Sequence, residues 1–161
     1  MGAPRFLEAA ALDALVAQAQ ASPRRRLNLN LHAGPEAPCQ RLAIALEPDS
    51  YIRPHRHLDP AKDETFLVLR GRIGALLFDA EGEVREARVL GPREAAFGVD
   101  VPSGCFHSFV ALEAGSVFFE AKAGPYAPLG PEELAPWAPA EGSPEAPDFL
   151  EALRARLEAR P

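Results

Sequence analysis

The stretch that decides the fold reads Tyr51-Ile52-Arg53-Pro54-His55-Arg56-His57. Two histidines at positions i and i+2 of a strand point to the same face, because strand side chains alternate between faces. The chain contains four histidines, and a third one ends a later segment that reads Pro102-Ser103-Gly104-Cys105-Phe106-His107. A reverse bend at its Pro-x-Gly turn can aim this imidazole inward. The sequence therefore predicts that His55, His57 and His107 share one site.

Glu64 can supply an oxygen ligand to the same site. It begins an apolar strand, a position where a carboxylate requires a partner. Three imidazole nitrogens and one carboxylate oxygen suit Fe(II), Mn, Ni, Cu or Zn and leave coordination positions open for water or substrate. The alternative is that the histidines are unrelated and are either exposed or hydrogen-bonded. We predict a shared metal site formed by His55, His57, Glu64 and His107.

Short apolar runs separated by turn residues occupy residues 40–122. In the first run Leu42, Ile44 and Leu46 alternate with smaller or polar residues. The later runs are Thr65–Arg70, Ile73–Phe78, Val84–Leu90, Ala95–Val101, Phe106–Ala111 and Ser116–Lys122. Strands spaced by about 8–12 residues, with turn residues rather than helices between them, predict an all-β sandwich or barrel and not a βαβ fold.

The N-terminal region is predicted to be helical over Arg5–Ala21, where alanine is frequent and apolar side chains recur on one face. Ser22-Pro23 ends the helix, because the residue before a proline is disfavoured in the α region. The basic run Arg24–Arg26 follows in a turn. It is interpreted either as a solvated linker or as a contact with an anion or another subunit.

Proline is over-represented, with 17 residues in the chain against an average share of about 5%. Seven of them fall within Gly124–Pro147, which we call the arm and which is too rich in proline for a sheet or a helix. A last helix is predicted from Asp148, whose side chain would cap it while Glu151 completes a capping box. We predict one domain over residues 1–161, with an N-terminal helix and linker at 1–35, a β-barrel at 36–123, the arm at 124–147 and a C-terminal helix at 148–161.

Charge and composition restrict the possible partners. The chain has 17 Lys and Arg against 23 Asp and Glu, a net charge of −6, whereas a general nucleic-acid binder needs a basic face. Two cysteines do not make a disulfide scaffold and fit a reducing compartment. Glu8 and Asp13 interrupt any secretory apolar core, and no apolar run approaches the roughly 20 residues that span a bilayer. We expect a cytoplasmic protein that binds neither nucleic acid nor a membrane.

The pattern of metal ligands resembles that of the cupin superfamily. The first cupin motif is matched by His55, His57, Glu64 and Gly71, with a longer gap before the glutamate than in the general motif, and the second by Pro102, Gly104 and His107. The resemblance implies an all-β core in the form of a cupin-type jelly-roll barrel with flanking N-terminal and C-terminal helices. It also implies one divalent transition metal per chain, either Fe, Mn, Zn or Ni, bound by the three histidines and the glutamate.

A closer resemblance, to the WbuC-type cupin metalloproteins, covers nearly the whole chain. The matching stretches are Asn30–His32, Gln40-Arg41, Ser50–His57, Phe119–Tyr126 and Trp137–Gly142. Members of that family are often encoded beside bacterial O-antigen and nucleotide-sugar genes, which implies a role in polysaccharide biosynthesis. Because sheet edges and apolar outer faces need cover and cupins commonly dimerise, we expect a homodimer.

Four side chains are candidates for binding a substrate. Tyr51 and Arg53 share strand parity with the two histidines, so both are predicted to line the metal cavity. Arg53 could anchor a carboxylate or phosphate, or it could reach solvent at the strand end. Lys122 lies either in the pocket or in an exposed pair with Glu120. Tyr126 follows a Gly-Pro turn and could fold over the barrel mouth.

These residues predict a metal-binding cupin, first of all a metal-dependent enzyme that acts on a small polar metabolite such as a sugar or nucleotide-sugar derivative. No catalytic residue is assigned, and the reaction type (oxygenase, isomerase or lyase) stays open. The first alternative is a non-catalytic, metal-dependent binding module for a small molecule. The second is a metal-free sugar epimerase or isomerase that uses histidine and tyrosine as acid and base.

Overall fold

The computed structural model describes residues 4–158 and consists mostly of β-strands. Along the chain the elements are α1 (Ala9–Ala21), β1 (Arg26–Asn30), β2 (Cys39–Leu46), β3 (Glu64–Arg70), β4 (Ile73–Phe78), β5 (Val84–Leu90), β6 (Gly98–Val101), β7 (Phe106–Ala111), β8 (Ser116–Ala123) and α2 (Ala146–Glu158). The strands form a five-stranded sheet in the order β1-β2-β8-β3-β6 and a three-stranded sheet in the order β5-β4-β7. All pairs of neighbouring strands in these sheets are antiparallel.

The main hydrophobic core lies between the two sheets. It combines Ile44, Phe66 and Phe118 from the five-stranded sheet with Ile73 and Phe109 from the three-stranded sheet. Strand β3 shows the underlying pattern, because its residues alternate between buried and exposed along the chain, as expected for one face on a core. The alternating apolar residues of β3 therefore determine which face of that strand points into the core.

The two helices cover the outer faces of the sheets. Helix α1 packs Leu15 and Ala19 against Ala43, Ala45 and Val117 of the five-stranded sheet. Helix α2 lies on the other side of the molecule, where Leu150, Leu153 and Leu157 join a second cluster with residues of β4, β5 and β7. The layers therefore run from α1 through the two sheets to α2, and the mostly β architecture agrees with the sequence prediction.

Several element boundaries differ from the predicted ones. Strand β1 was not predicted, although Leu27 and Leu29 alternate with polar residues, because a five-residue edge strand next to a basic run carries a weak pattern. Helix α1 begins at Ala9 rather than Arg5. Helix α2 begins at Ala146, so the prediction that Asp148 caps it is wrong. Pro147 fits in the first turn, where a missing N–H costs nothing.

The end of the predicted C-terminal helix, residues 159–161, lies outside the described residues. Within 4–158, the structure contains no helix with both the length and the apolar character needed to cross a membrane.

Gly74 permits the close approach of α2 to β4. A Cβ atom at this position would lie 2.1 Å from Leu157 Cδ1, and Leu157 is itself buried. We predict that Gly74→Ala lowers the free energy of unfolding by about 1–3 kcal/mol, the usual cost of overpacking, measured by urea denaturation. Gly34→Ala is the matched control, because no described atom lies within 4 Å of a Cβ built there. Equal unfolding midpoints for the two variants would contradict this packing.

Candidate metal centre

The segment that carries His55 and His57 is extended but is not a regular strand. Only His55 forms β-bridges, one with His107 of β7 and one with Leu134 of the arm. The amide of His55 donates to the His107 carbonyl at 3.1 Å, and the amide of His107 donates to the His55 carbonyl at 2.9 Å. The prediction of a regular strand through this segment is therefore wrong. Pro54 faces the arm, where its carbonyl accepts from Ala135, and it has no N–H to extend the pairing on that side.

The arm holds the other side of this segment. The amide of Arg56 donates to the Glu133 carbonyl at 2.8 Å, and the amide of Ala135 donates to the Pro54 carbonyl at 2.9 Å. The Oε1 atom of Glu133 also accepts the amide of Leu58 at 3.0 Å. Part of the irregular arm thus acts as an additional edge that fixes the backbone of the histidine pair.

Glu64 projects into the space between the sheets. It shares the inner face of β3 with Phe66 and is almost completely buried. Its Oε1 atom lies 3.0 Å from His57 Nε2. His55, His57 and Glu64 each offer one ligand atom, and these three atoms lie within 4.8 Å of one another. This spacing suits three ligands around one metal ion, which a nitrogen ligand approaches to about 2.0–2.1 Å when the metal is zinc.

His107 brings a fourth ligand to the same place from the opposite sheet. Its Nε2 atom lies 3.0 Å from Glu64 Oε2, and its ring centroid lies 4.6 Å from that of His55. His107 is not part of the group of His55, His57 and Glu64, whose ligand atoms lie within 4.8 Å of one another. It is therefore close to Glu64 but farther from at least one of the two other histidines. All four predicted ligands nevertheless converge on one buried region.

Backbone contacts fix the tautomers of two of these histidines. The Nδ1 atoms of His55 and His107 each lie 3.0 Å from a carbonyl oxygen, that of Arg53 and that of Cys105. A carbonyl only accepts, so Nδ1 of each ring carries a proton, and in a neutral ring Nε2 then keeps its lone pair. Burial, together with the neighbouring His107, lowers the pKa of His55 to about 3. A neutral imidazole held by a backbone carbonyl is the usual form of a metal ligand.

The contact between Glu64 and His107 is one that a bound cation would satisfy. Glu64 Oε2 and His107 Nε2 are both buried, and neither has a hydrogen-bond partner among the described residues. When the His107 ring is neutral with its proton on Nδ1, both atoms are acceptors 3.0 Å apart, and an unsatisfied buried acceptor costs about 1–3 kcal/mol. A divalent metal ion would satisfy both atoms at once. The donor set therefore fits a transition metal.

Lys122 provides a permanent counter-charge beside this centre. It lies opposite Glu64 in the pairing of β3 with β8, and its Nζ atom is 2.7 Å from Glu64 Oε1 and 2.8 Å from Glu120 Oε1. Burial raises the pKa of Glu120. Burial opposes ionisation of Glu64 too, but its contacts with His107 and His57 and the charge of Lys122 hold the pKa of Glu64 well below its usual value.

A cavity of about 800 Å³ opens onto the predicted ligands. Its inner part is lined by His55, Glu64 and His107 and by an aromatic wall of Phe66, Phe109 and Phe118. The rings of Phe66 and Phe109 are 4.3 Å apart. The aromatic wall limits solvation of the inner part of the cavity, which strengthens electrostatic contacts there.

Two of the four predicted substrate-binding residues line this cavity. Arg53 and Lys122 do so, whereas Tyr51 and Tyr126 are not among the described residues of its lining. The Tyr51 hydroxyl donates to the Pro139 carbonyl at 3.0 Å and its ring packs against α2. The expectation that Tyr51 faces the metal cavity is wrong, because strand parity does not hold through this irregular segment. Tyr126 is 59% exposed.

Three further charged residues in the cavity lining were not assigned to the site from the sequence. Arg24, Arg26 and Glu141 line the same cavity as the histidines. The signal for the arginines was the basic run, for which an anion contact was one of two interpretations. No sequence pattern points to Glu141, because its role depends on how the arm folds back across the chain.

Similar folds occur in several solved structures. Oxalate oxidase, solved in complex with the substrate analogue glycolate, is 15% identical with a TM-score of 0.52, and the match covers 66% of this chain and 55% of that one. A conserved protein of unknown function from Streptococcus pyogenes is 14% identical with a TM-score of 0.51, over 79% of this chain and 93% of that one. KdgF from a Halomonas species is 22% identical with a TM-score of 0.48, over 63% and 82%. The chain thus spans about half the length of oxalate oxidase.

Oxalate oxidase is a cupin, and the likeness shows that this chain has a cupin fold. No curated protein matches the sequence. A family described as "Domain of unknown function (DUF6016)" matches residues 7–90. This match covers just over half of the chain and includes the segment from α1 to β5, with His55, His57 and Glu64. The protein is therefore a cupin-fold member of the DUF6016 family of domains of unknown function.

Proposed function

We propose that this protein is a metal-dependent enzyme that acts on a small polar metabolite. The observation that carries the proposal is the buried contact at 3.0 Å between Glu64 Oε2 and His107 Nε2, neither of which has a hydrogen-bond partner among the described residues. His55 and His57 complete the set of ligands for one divalent metal. Such a metal would supply Lewis-acid chemistry or, as Fe(II), activation of oxygen.

The residues of the chain divide the remaining work. The carbonyls of Arg53 and Cys105 orient the imidazoles of His55 and His107, and Lys122 holds the Oε1 atom of Glu64. The aromatic wall of the cavity excludes water from the inner part. Glu120 lines the cavity, and we propose that it exchanges a proton with a ligand there; burial raises its pKa.

The finer identity of the protein is also a proposal. We infer that the two sheets form the jelly-roll barrel of the cupins and that the chain is a WbuC-type cupin metalloprotein. The stretches Ser50–His57 and Phe119–Tyr126 support this inference, because they match that family in sequence. The substrate would then be a sugar or nucleotide-sugar derivative used in synthesis of a bacterial surface polysaccharide.

We predict that His55→Ala and His107→Ala each weaken metal binding at least tenfold, because each variant removes a ligand. Removing only the partner that supports a ligand already weakens metal binding roughly 10–100-fold. Metal content is measured by elemental analysis of protein purified without added metal. His32→Ala is the matched control, because His32 contacts the backbone of Arg41 and lies outside the site. Equal metal content in all three variants, or turnover by protein free of metal, would overturn the proposal.

A binding module without turnover is the second candidate. It is favoured by the ion pairs of the cavity, since each carboxylate among its described lining residues contacts a basic side chain. Glu64 and Glu120 contact Lys122, and Glu141 contacts Arg24 and Arg26. A carboxylate held in this way is a poorer general base.

Two measurements on one preparation separate these candidates. The enzyme is expected to convert at least one compound in a panel of sugars, nucleotide sugars and small organic acids, with turnover lost in His55→Ala. A binding module is expected to gain thermal stability from the metal, by several degrees for about 1–2 kcal/mol of binding free energy, without converting any compound. Product formation is followed by mass spectrometry.

We also propose that the protein forms a homodimer. Leu67 and Leu69 of β3 and the nearby Phe97 are exposed large apolar residues, and contact with a second copy would remove them from water. Light scattering at micromolar concentration is expected to give twice the mass of the 17.3 kDa chain. A monomeric mass would contradict the dimer.

A further inference from the structure

The metal cavity has a buried end and an exposed end with different charges. At the buried end Lys122 contacts two carboxylates, Glu64 and Glu120. We call the other end the exposed end, because 65% of the Arg24 side chain is exposed. Three arginines line it, and the described part of the cavity lining places one carboxylate beside them, that of Glu141. The arginines are Arg24, Arg26 and Arg53. The chain as a whole carries a net charge of −6. The exposed end is therefore a local concentration of positive charge on an acidic protein.

Arg26 is largely buried, with 11% of its side chain exposed. Its Nη1 atom donates to Ser50 Oγ at 3.1 Å and to the Tyr51 carbonyl at 3.0 Å, and its Nη2 atom contacts Glu141 Oε1. The two neutral acceptors, Ser50 Oγ and the Tyr51 carbonyl, fix the plane of the guanidinium. The group is therefore oriented before a ligand binds. A fixed guanidinium loses little rotamer entropy on binding.

Glu141 lies between two guanidinium groups. Its Oε1 atom contacts Arg26, and its Oε2 atom lies 2.8 Å from Arg24 Nη2 and 3.0 Å from Arg24 Nε. A carboxylate or phosphate group of a ligand can bind arginine side chains in the same way, through two parallel hydrogen bonds to one guanidinium. Arg24 is 65% exposed along its side chain, so it can exchange one anion for another without disturbing the core.

Arg53 adds a third guanidinium to the same cavity. Its Nη2 atom donates to the Ala135 carbonyl at 2.7 Å. Its Nε atom is buried and has no hydrogen-bond partner within residues 4–158. A buried guanidinium N–H without a partner is costly, and an anion in the cavity would remove that cost.

We propose that the exposed end of the metal cavity is a subsite for an anionic group of the substrate, either phosphate or carboxylate. Arg24, Arg26 and Arg53 hold this group, and Glu141 is the internal anion that it displaces. The claim that the anion belongs to the substrate rests on the proposed function, whereas the subsite itself rests on the arginines. The cavity of about 800 Å³ lies in the upper part of the usual range of about 300–1,000 Å³ for ligand sites. One ligand can therefore reach both ends, which favours a phosphorylated or carboxylated sugar as the class of substrate.

Calorimetric titration of the full chain with inorganic phosphate and with malonate tests this subsite, at low ionic strength to limit screening. Arg24→Gln is expected to weaken binding of the preferred anion about tenfold, as expected for loss of one charge-assisted contact. Glu141→Gln is expected to strengthen binding, because it removes the competing carboxylate. The stronger of the two probes identifies the group.

Arg25→Gln is the matched control. Arg25 is adjacent in sequence but pairs with Asp49 at 2.9 Å, and it is absent from the described lining of the metal cavity. Its replacement is expected to leave anion binding unchanged within about twofold. Equal losses in Arg24→Gln and Arg25→Gln, or binding of neither probe by the unmodified chain, would overturn the subsite.

The same titration of His55→Ala separates the subsite from the proposed function. Anion binding that persists in this variant and still depends on Arg24 supports the subsite, even if the chain proves to bind no metal. Anion binding that disappears with His55, in a chain that otherwise binds metal, would assign the anion to the metal and overturn the subsite alone.

Discussion

The proposed metal centre depends on the contact between Glu64 and His107. A buried carboxylate oxygen and a buried imidazole nitrogen lie 3.0 Å apart, and His107 Nδ1 lies 3.0 Å from the Cys105 carbonyl, which favours the proton of a neutral ring on Nδ1. A cation bound to both atoms would satisfy this contact. Both residues lie on inner faces of opposite sheets, so the fold itself brings the two acceptors together.

The arm and the histidine segment depend on each other. The segment around His55 lies between β7 and the arm and has hydrogen bonds to both. The arm also supplies Glu141 to the exposed end of the cavity. One irregular stretch rich in proline therefore positions both a predicted metal ligand and an internal anion. The two ends of the cavity could in this way bind two parts of one substrate.

Much of the fold follows from the sequence pattern. The predicted runs Ile73–Phe78, Val84–Leu90 and Phe106–Ala111 are strands with those bounds, because apolar runs bounded by turn residues have few alternatives. The convergence of His55, His57 and Glu64 also follows, since all three occur in a recognisable motif. The position of Tyr51 does not follow, because its segment is irregular, with isolated bridges at His55 only, and strand parity does not hold there. The contacts of Glu141 depend on long-range packing of the arm, which no local pattern encodes.

The most direct measurement is anomalous X-ray diffraction from crystals of the protein purified without added metal, recorded on both sides of the absorption edges of Mn, Fe, Ni and Zn. We expect one anomalous peak among the Nε2 atoms of His55, His57 and His107 and the carboxylate of Glu64, with Lys122 still in contact with Oε1. A map without this peak, in which Glu64 and His107 share a direct hydrogen bond, would contradict a metal centre.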